Sequence, residues 1–242
     1  MEIEVRGPRV FCYIGNYPVT ETLVFTWVSM FLVIALCIFL THGLKKRGIG
    51  KRQVIAELMV NSLYNLIETN MGPQWRGFAP FIGSILCIST VASMLSLVGI
   101  YSPTNDLSTF LAWSVCVFVL ITYHKFRANG FLGYFKTYAQ PTVVMTPMNI
   151  ISEIATPVSM AFRHYGNILS GYIVGLLLYG ALGAASQALL GGLPGILGDF
   201  PLLQIGIPAV LNLYFTVFSG CLQPFIFCML TMIYVSSAAE TE

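Results

Sequence analysis

The stretch from Thr156 to Ser170 reads T-P-V-S-M-A-F-R-H-Y-G-N-I-L-S, and it places Arg163 in the middle of a run otherwise suited to lipid. An arginine near the centre of a bilayer costs about 3 kcal/mol on insertion scales. Its guanidinium cannot be deprotonated to avoid that cost. A charged partner, a water-filled cavity or both must therefore accompany this side chain.

One face of the helix that contains Arg163 is polar for several turns. The alternative to a functional polar face is a Ser/Thr-rich face packed on a neighbouring helix. At 100° per residue, the polar residues within about 40° of one line are Asn149, Ser152, Thr156, Ser159, Arg163, Asn167 and Ser170.

Glu153 is the nearest carboxylate to Arg163 in the sequence. It lies about 80° round this helix from Arg163 and about 15 Å along it, so we expect no direct ion pair between them. We therefore infer that the partner of Arg163 comes from another chain.

The composition is that of an integral membrane protein. Of the 242 residues, 56% are hydrophobic and 9% are charged, whereas about 25% are charged in a typical soluble domain. There is no P-loop, G-x-S-x-G or H-E-x-x-H motif, and the cysteines and histidines lack metal-ligand spacing. We expect no catalytic residue, metal, cofactor or nucleic acid partner. Five cysteines in apolar segments are interpreted as buried hydrophobes: Cys37, Cys87, Cys116, Cys221 and Cys228.

Hydropathy and helical spacing predict a single all-α membrane domain over residues 1–242, with about five to six helices. The final pair is overlong, since its first helix has about 44 residues and a length of about 65 Å, twice the roughly 30 Å of hydrocarbon. We therefore expect a hairpin of strongly tilted helices. The predicted parts are an outer N-terminal segment (1–19), a first span (20–43), an interfacial or re-entrant helix (53–71), a helical hairpin (80–124) and the long pair (146–237).

The basic residues predict the orientation. By the positive-inside rule, the two basic loops are cytoplasmic, the N-terminus is outside and the C-terminus is cytoplasmic. The outer turns then fall at 101–106, where Asp106 is placed to cap the next helix, and at 191–199. The lack of an Arg/Ser-rich leader favours a bacterial plasma membrane. The basic loop residues are Lys45, Lys46, Arg47, Lys51 and Arg52, and then Lys125, Arg127 and Lys136.

The last helix has a polar face of its own. Two antiparallel helices with facing polar stripes would enclose a hydrated path or a binding groove. Gln223, taken alone, is equally well explained as a residue that only forms a hydrogen bond between two helices. The residues on this face are Asn212, Thr216, Ser219 and Gln223.

Five motifs occur in the order known from one family. The motifs are P-T-N-D (103–106), G-F-L-G-Y-F-K (130–136), P-M-N-I-I-S-E (147–153), F-R-H-Y-G-N (162–167) and L-Q-P-F-I-F-C-M-L-T-M-I-Y (222–234). With these motifs, the sequence resembles subunit a of the F-type rotary ATP synthase over roughly Leu97 to the C-terminus, while the first ninety residues match only in topology.

The resemblance implies roles for single residues. Arg163 is expected to be the stator arginine that faces the carboxylate of each passing c subunit, with Gln223 beside it and Asn167 lining the path. Asp106 and Glu153 are expected near the aqueous half-channels. The remaining half-channel candidates are Ser159, Ser170, Asn212, Thr216, Ser219 and His164, although His164 points about 100° from Arg163 and is more simply a packing residue than a relay.

The sequence also departs from the family pattern. Tyr172 stands where many members have a glutamate, and Thr216 stands where some have a histidine or glutamate. The outer half-channel thus lacks a titratable pair, and its path is expected to use water, hydroxyls or other carboxylates. Ser96 replaces a usual asparagine.

The resemblance implies a non-catalytic subunit that couples H⁺ or Na⁺ translocation to rotation of the c-subunit ring. Its expected partners are that ring, the b-subunit stalk, the other synthase subunits and membrane lipid. A secondary transporter is one alternative, but residues 20–124 and 146–237 show no internal repeat. A structural assembly subunit is another, and it would leave Arg163 dispensable.

Overall fold

The computed structural model describes residues 10–43, 50–95, 103, 106–138, 143–190 and 202–239, apart from a few side chains within these ranges. Helices dominate, which confirms the predicted all-α class. In chain order, the elements are β1 (Val10–Ile14), β2 (Tyr17–Thr20), α1 (Glu21–Thr41), α2 (Lys51–Met71), α3 (Ala79–Leu95), α4 (Leu107–Tyr138), α5 (Thr146–Leu190) and α6 (Leu202–Ala239). Short 3-10 helices, Pro73–Phe78 and Val143–Met145, precede α3 and α5.

Within this described part, five helical segments are long and apolar enough to cross a membrane. The protein is therefore a multi-pass integral membrane protein. The segments are Glu21–Thr41, Pro73–Leu95, Leu107–Gly130, Thr146–Leu189 and Val217–Ala239.

A β-hairpin precedes the first span, and it was not predicted. β1 and β2 pair antiparallel, with Ile14 opposite Tyr17, and Gly15 in the turn between them has a φ of 66°. A Gly-Asn pair between two short strand-forming runs is a hairpin signal, so the sequence contained the information. Residues 1–9 of the predicted outer segment lie outside the described residues.

α1 matches the first span, and α2 is helical as expected at 53–71. α2 begins already at Lys51, so the prediction of Lys51 and Arg52 as loop residues was wrong. Gly72, with a φ of 94°, ends α2, and Pro73 begins the 3-10 helix. Its interfacial location stays a prediction.

The second basic segment is helical, so its prediction as a loop was wrong. Lys125, Arg127 and Lys136 lie in α4, which extends to Tyr138 instead of ending near 124. Gly130, with φ 69° and ψ 173°, kinks the helix. Lysine and arginine are good helix formers, so the fall in hydropathy marks the end of the membrane span and not of the helix.

The two overlong helices are present as predicted. α5 has 45 residues and continues through Pro157, and α6 has 38 residues. At 1.5 Å per residue these are about 68 and 57 Å long. Both exceed the roughly 30 Å hydrocarbon core. Their strong tilt within the membrane stays a prediction. The outer turns at 101–106 and 191–199 lie largely outside the described residues.

The core lies around the C-terminal half of α6. Met232 and Val235 of α6 are fully buried, and they belong to one cluster with Ile67 of α2, Ile82 of α3 and Val117 of α4. The only α5 member of this cluster, within the described chain, is Met160. Most of the α5 surface is therefore left for lipid or for another subunit.

The cysteines correct another prediction. Cys37, Cys116 and Cys221 are exposed, Cys87 is half-buried, and only Cys228 of the five is buried. Lipid is as apolar as a protein core, so an apolar segment does not tell whether a side chain points into the bundle or out of it.

Candidate functional site

The polar residues of α5 and α6 meet between the two helices. The side-chain amide of Asn167 (Nδ2) donates a hydrogen bond to Ser219 Oγ at 3.3 Å. Further along, Glu153 of α5 shares a cavity with Tyr234 of α6. Because these contacts run in opposite directions along the two helices, α5 and α6 are antiparallel.

Antiparallel packing determines how far along the helix pair Arg163 and Gln223 lie relative to each other. Arg163 is one turn before Asn167 on α5, and Gln223 is one turn after Ser219 on α6. Arg163 and Gln223 therefore lie at the same height along the helix pair. Gln223 is half-buried, whereas Arg163 is exposed.

Arg163 has no ion-pair partner among the described carboxylates. The two ion pairs within the described ranges are Lys125–Glu153 and Arg76–Glu68. The expectation that Arg163 does not pair with Glu153 is therefore confirmed. Arg163 is thus an exposed cationic residue in the middle of an apolar span.

A cavity of about 860 Å³ lies between α4, α5 and α6, on the side of α5 that precedes Arg163. Glu153 is in its wall, and only 9% of its side chain is exposed. Lys125 Nζ of α4 lies 3.0 Å from Glu153 Oε1. The second carboxylate oxygen accepts a hydrogen bond from the Tyr138 hydroxyl.

Two tyrosines form a network with Glu153. The Tyr134 and Tyr138 hydroxyl oxygens are 2.5 Å apart, and the hydroxyls of both tyrosines are hydrogen-bonded to the Glu153 carboxylate. Burial, followed by the Glu153 charge, raises the pKa of Tyr134. Tyr134 therefore stays a protonated donor at neutral pH.

The other polar residues of α5 follow the cavity. Asn149 Nδ2 donates to the Tyr138 carbonyl oxygen at 2.9 Å, and Thr156 Oγ1 donates to the Ser152 carbonyl oxygen at 2.8 Å. Asn149, Ser152 and Thr156 all line the cavity, whereas Ser159 is exposed. The predicted polar face is thus divided between the cavity and the exposed surface that includes Arg163.

Asp106 lies directly before α4, where a capping residue was expected. The hydrogen bond found for its carboxylate comes from α1, because Thr22 Oγ1 donates to Asp106 Oδ2 at 2.6 Å. No sequence signal connects these two residues, which are 84 positions apart.

His164 lies in the packing between α4 and α5 and not on the polar face. Its side chain is 2% exposed and stacks on the Phe110 ring, with 3.6 Å between centroids. Its Nδ1 has no hydrogen-bond partner within the described chain. This agrees with the packing interpretation.

The outer half of the helix pair is described less fully. Ser170 and Tyr172 are exposed on α5. Asn212 and Thr216 lie in α6, but their side chains are outside the described part, as is Ser96. Lys125 and Tyr138 were missed as site residues, although Tyr138 closely follows the G-F-L-G-Y-F-K motif.

A comparison with protein-family models matches residues 23–236 to the ATP synthase A chain. The chain belongs to this family. The predicted resemblance is therefore confirmed, and it extends into the first ninety residues, where only the topology had matched.

Several members of the family are similar to this chain over nearly all of its length. It is 33% identical over 224 residues to ATP synthase subunit a of Desulforamulus reducens, covering 92% of this chain and 80% of the relative. It is 33% identical over 232 residues to ATP synthase subunit a 1 of Hahella chejuensis, covering 96% and 89%. A third relative, from Propionigenium modestum, is named ATP synthase subunit a, sodium ion specific, and is 29% identical, covering 97% and 86%.

As a member of this family, the chain is an ion-translocating subunit of the membrane sector and assembles with other ATP synthase subunits. Family membership is consistent with a non-catalytic role.

Proposed function

We propose that this chain is the stator subunit that faces the rotating c-subunit ring, and that Arg163 couples ion translocation to rotation. The observation that carries this proposal is the exposed Arg163 on a membrane-spanning helix, with no ion pair among the described carboxylates. A fixed cation in that place needs a counter-ion. A carboxylate on a neighbouring, moving subunit supplies one.

The physical effect of Arg163 on such a carboxylate is large. At about 4 Å, a unit charge stabilises an ionised carboxylate by on the order of 4 kcal/mol at an effective dielectric of 20, or about three pKa units. The carboxylate therefore releases its ion as it approaches Arg163. The permanent positive charge also blocks an ion from passing directly from one side of Arg163 to the other.

Two half-channels then lie on opposite sides of Arg163. The cavity with Glu153 serves as the cytoplasmic half-channel, and the basic residues Lys125 and Arg127 near it support this side by the positive-inside rule. The outer half-channel follows α5 and α6 from Asn167 and Ser219, with Asp106 at its entry. The orientation has the N-terminus outside and the C-terminus in the cytoplasm of a bacterial cell.

The translocated ion is H⁺ or Na⁺. The Propionigenium modestum relative is named sodium ion specific, which supports the inclusion of Na⁺. Gln223 lies at the height of Arg163, and its uncharged amide provides a hydrogen-bond partner there without neutralising the guanidinium.

The test is Arg163→Ala in the complete synthase, reconstituted in liposomes. We expect ATP-driven ion pumping to be lost while the complex still assembles. Arg127→Ala is the matched control, because Arg127 is also an exposed arginine but lies outside the polar face, and it should pump normally. Normal pumping by the Arg163→Ala complex would refute the proposal and would favour a purely structural subunit.

A further inference from the structure

The cavity between α4, α5 and α6 has the cationic side chain of Lys125 in its wall. Among the described residues that line it, Lys125 and Glu153 are the charged ones, and their charges cancel. The Lys125 ammonium lies 3.0 Å from Glu153 Oε1, and the Tyr138 hydroxyl binds the other oxygen. The carboxylate is therefore satisfied on both oxygens.

Without Lys125, the same oxygen atoms would form a binding place for a free cation. A carboxylate that is 9% exposed is strongly destabilised when its counter-ion is missing. Carboxylate and hydroxyl oxygens are the ligands that hard cations prefer. An ammonium is a compact point charge with three donors, so it takes the place beside a carboxylate that an alkali cation takes.

We propose that Lys125 is a tethered counter-cation, which fills the cation position beside Glu153 and so prevents the cavity from trapping the ions that pass through it. The inference depends on the proposed function, in which this cavity is a half-channel. Conduction requires that ions bind weakly enough to leave. An unpaired Glu153 at the cavity wall would violate that requirement.

Lys125 is not needed to hold α4 against α5. Asn149 joins the start of α5 to the Tyr138 carbonyl, and the Ser114 hydroxyl of α4 donates to the Pro157 carbonyl of α5. The stacking of Phe110 on His164 is a further contact between the two helices. Replacing Lys125 therefore changes the charge of the cavity and leaves these contacts in place.

The experiment compares ATP-driven charge uptake by the complete synthase in liposomes, in equal concentrations of potassium chloride and choline chloride. A potential-sensitive dye reports uptake whether the motor moves H⁺ or Na⁺. In Lys125→Met, we expect potassium to slow uptake about tenfold relative to choline, which corresponds to about 1.4 kcal/mol of added cation binding. Wild type and Lys125→Arg should show the same rate in both salts.

The double variant Lys125→Met/Glu153→Gln identifies the binding place. It has neither the ammonium nor the carboxylate, so its rate should again be independent of the salt. Equal rates of Lys125→Met in the two salts would overturn the proposal, and so would a double variant that is as sensitive to potassium as Lys125→Met. If Lys125→Met does not assemble, Lys125→Gln, which retains a hydrogen-bonding side chain, replaces it with the same two outcomes.

Arg163→Ala in the same assay separates this inference from the proposed function. If Arg163→Ala loses uptake and Lys125→Met takes up charge at the same rate in both salts, only the proposal that Lys125 is a tethered counter-cation would be refuted. Normal uptake in Arg163→Ala would refute the stator role itself.

Discussion

At the scale of single residues, Arg163 and His164 are neighbours in the chain with opposite environments. Arg163 is exposed, and His164 is 2% exposed against Phe110. Successive helical residues point about 100° apart, so one helix presents a cation outward and buries an imidazole at adjacent positions. His164 is thus buried between α4 and α5 and does not belong to the exposed surface that includes Arg163.

Replacing His164 by phenylalanine tests this division. The change removes a buried Nδ1 that has no partner within the described chain and retains a flat ring against Phe110. We expect ion pumping to persist, and the stability to be unchanged or increased by about 1 kcal/mol. Thermal unfolding of the purified complex and ATP-driven pumping measure the two effects.

His164→Ala is the comparison for this variant, since it leaves a cavity beside Phe110. It should lower stability by about 3 kcal/mol, as for other large-to-small changes of buried rings. An assembled His164→Phe complex that does not pump would instead assign a proton relay to His164.

At the scale of elements, α6 approaches α3 closely at Gly220. This glycine is buried, and a Cβ atom added to it would lie 2.8 Å from the Ser93 Cβ atom of α3. Small residues at such crossings allow membrane helices to pack backbone to backbone. Gly220 directly follows Ser219, which accepts the hydrogen bond from Asn167.

Gly220→Ala should therefore separate α6 from α3. We expect a loss of about 1–3 kcal/mol in stability, the range for overpacked cores, together with slower ion pumping. Gly77→Ala is the control, because a Cβ atom at Gly77 would meet no atom of another element within 4 Å. An unchanged melting temperature of the Gly220→Ala complex, equal to that of Gly77→Ala, would show that the helices adjust without strain.

At the scale of the whole molecule, the distribution of charge predicts the orientation in the membrane. The basic residues of α4 lie beyond or near the end of its span, on the side of the cavity with Glu153. The β-hairpin directly precedes α1, a single membrane-spanning helix, so we expect it at the opposite membrane face. The hairpin is therefore expected outside the cell.

Cys12 offers a direct test of this orientation. It is exposed on the β-hairpin, whereas Cys37, Cys116 and Cys221 are exposed on membrane-spanning helices. A membrane-impermeant maleimide should label right-side-out vesicles at Cys12, and Cys12→Ser should abolish this labelling. Labelling of Cys12 only in inverted vesicles would reverse the orientation.

Much of this architecture was readable from local patterns. Hydropathy predicted the membrane class and the lengths of α1, α5 and α6, and Gly72-Pro73 marked the end of α2. The period of the helix placed Arg163 on a polar face, and the spacing to Glu153 correctly excluded a pair between them. The Gly15-Asn16 turn was also present in the sequence, although the hairpin was overlooked.

The partners across helices came only from the folded chain. Glu153 pairs with Lys125, 28 positions away, and Asp106 with Thr22, 84 positions away. Hydropathy and helical period are properties of a single segment, whereas these contacts depend on how each helix is rotated and shifted against the next. The same reason explains the exposed Cys37, Cys116 and Cys221, because in a membrane an apolar side chain is stable both in the core and against lipid.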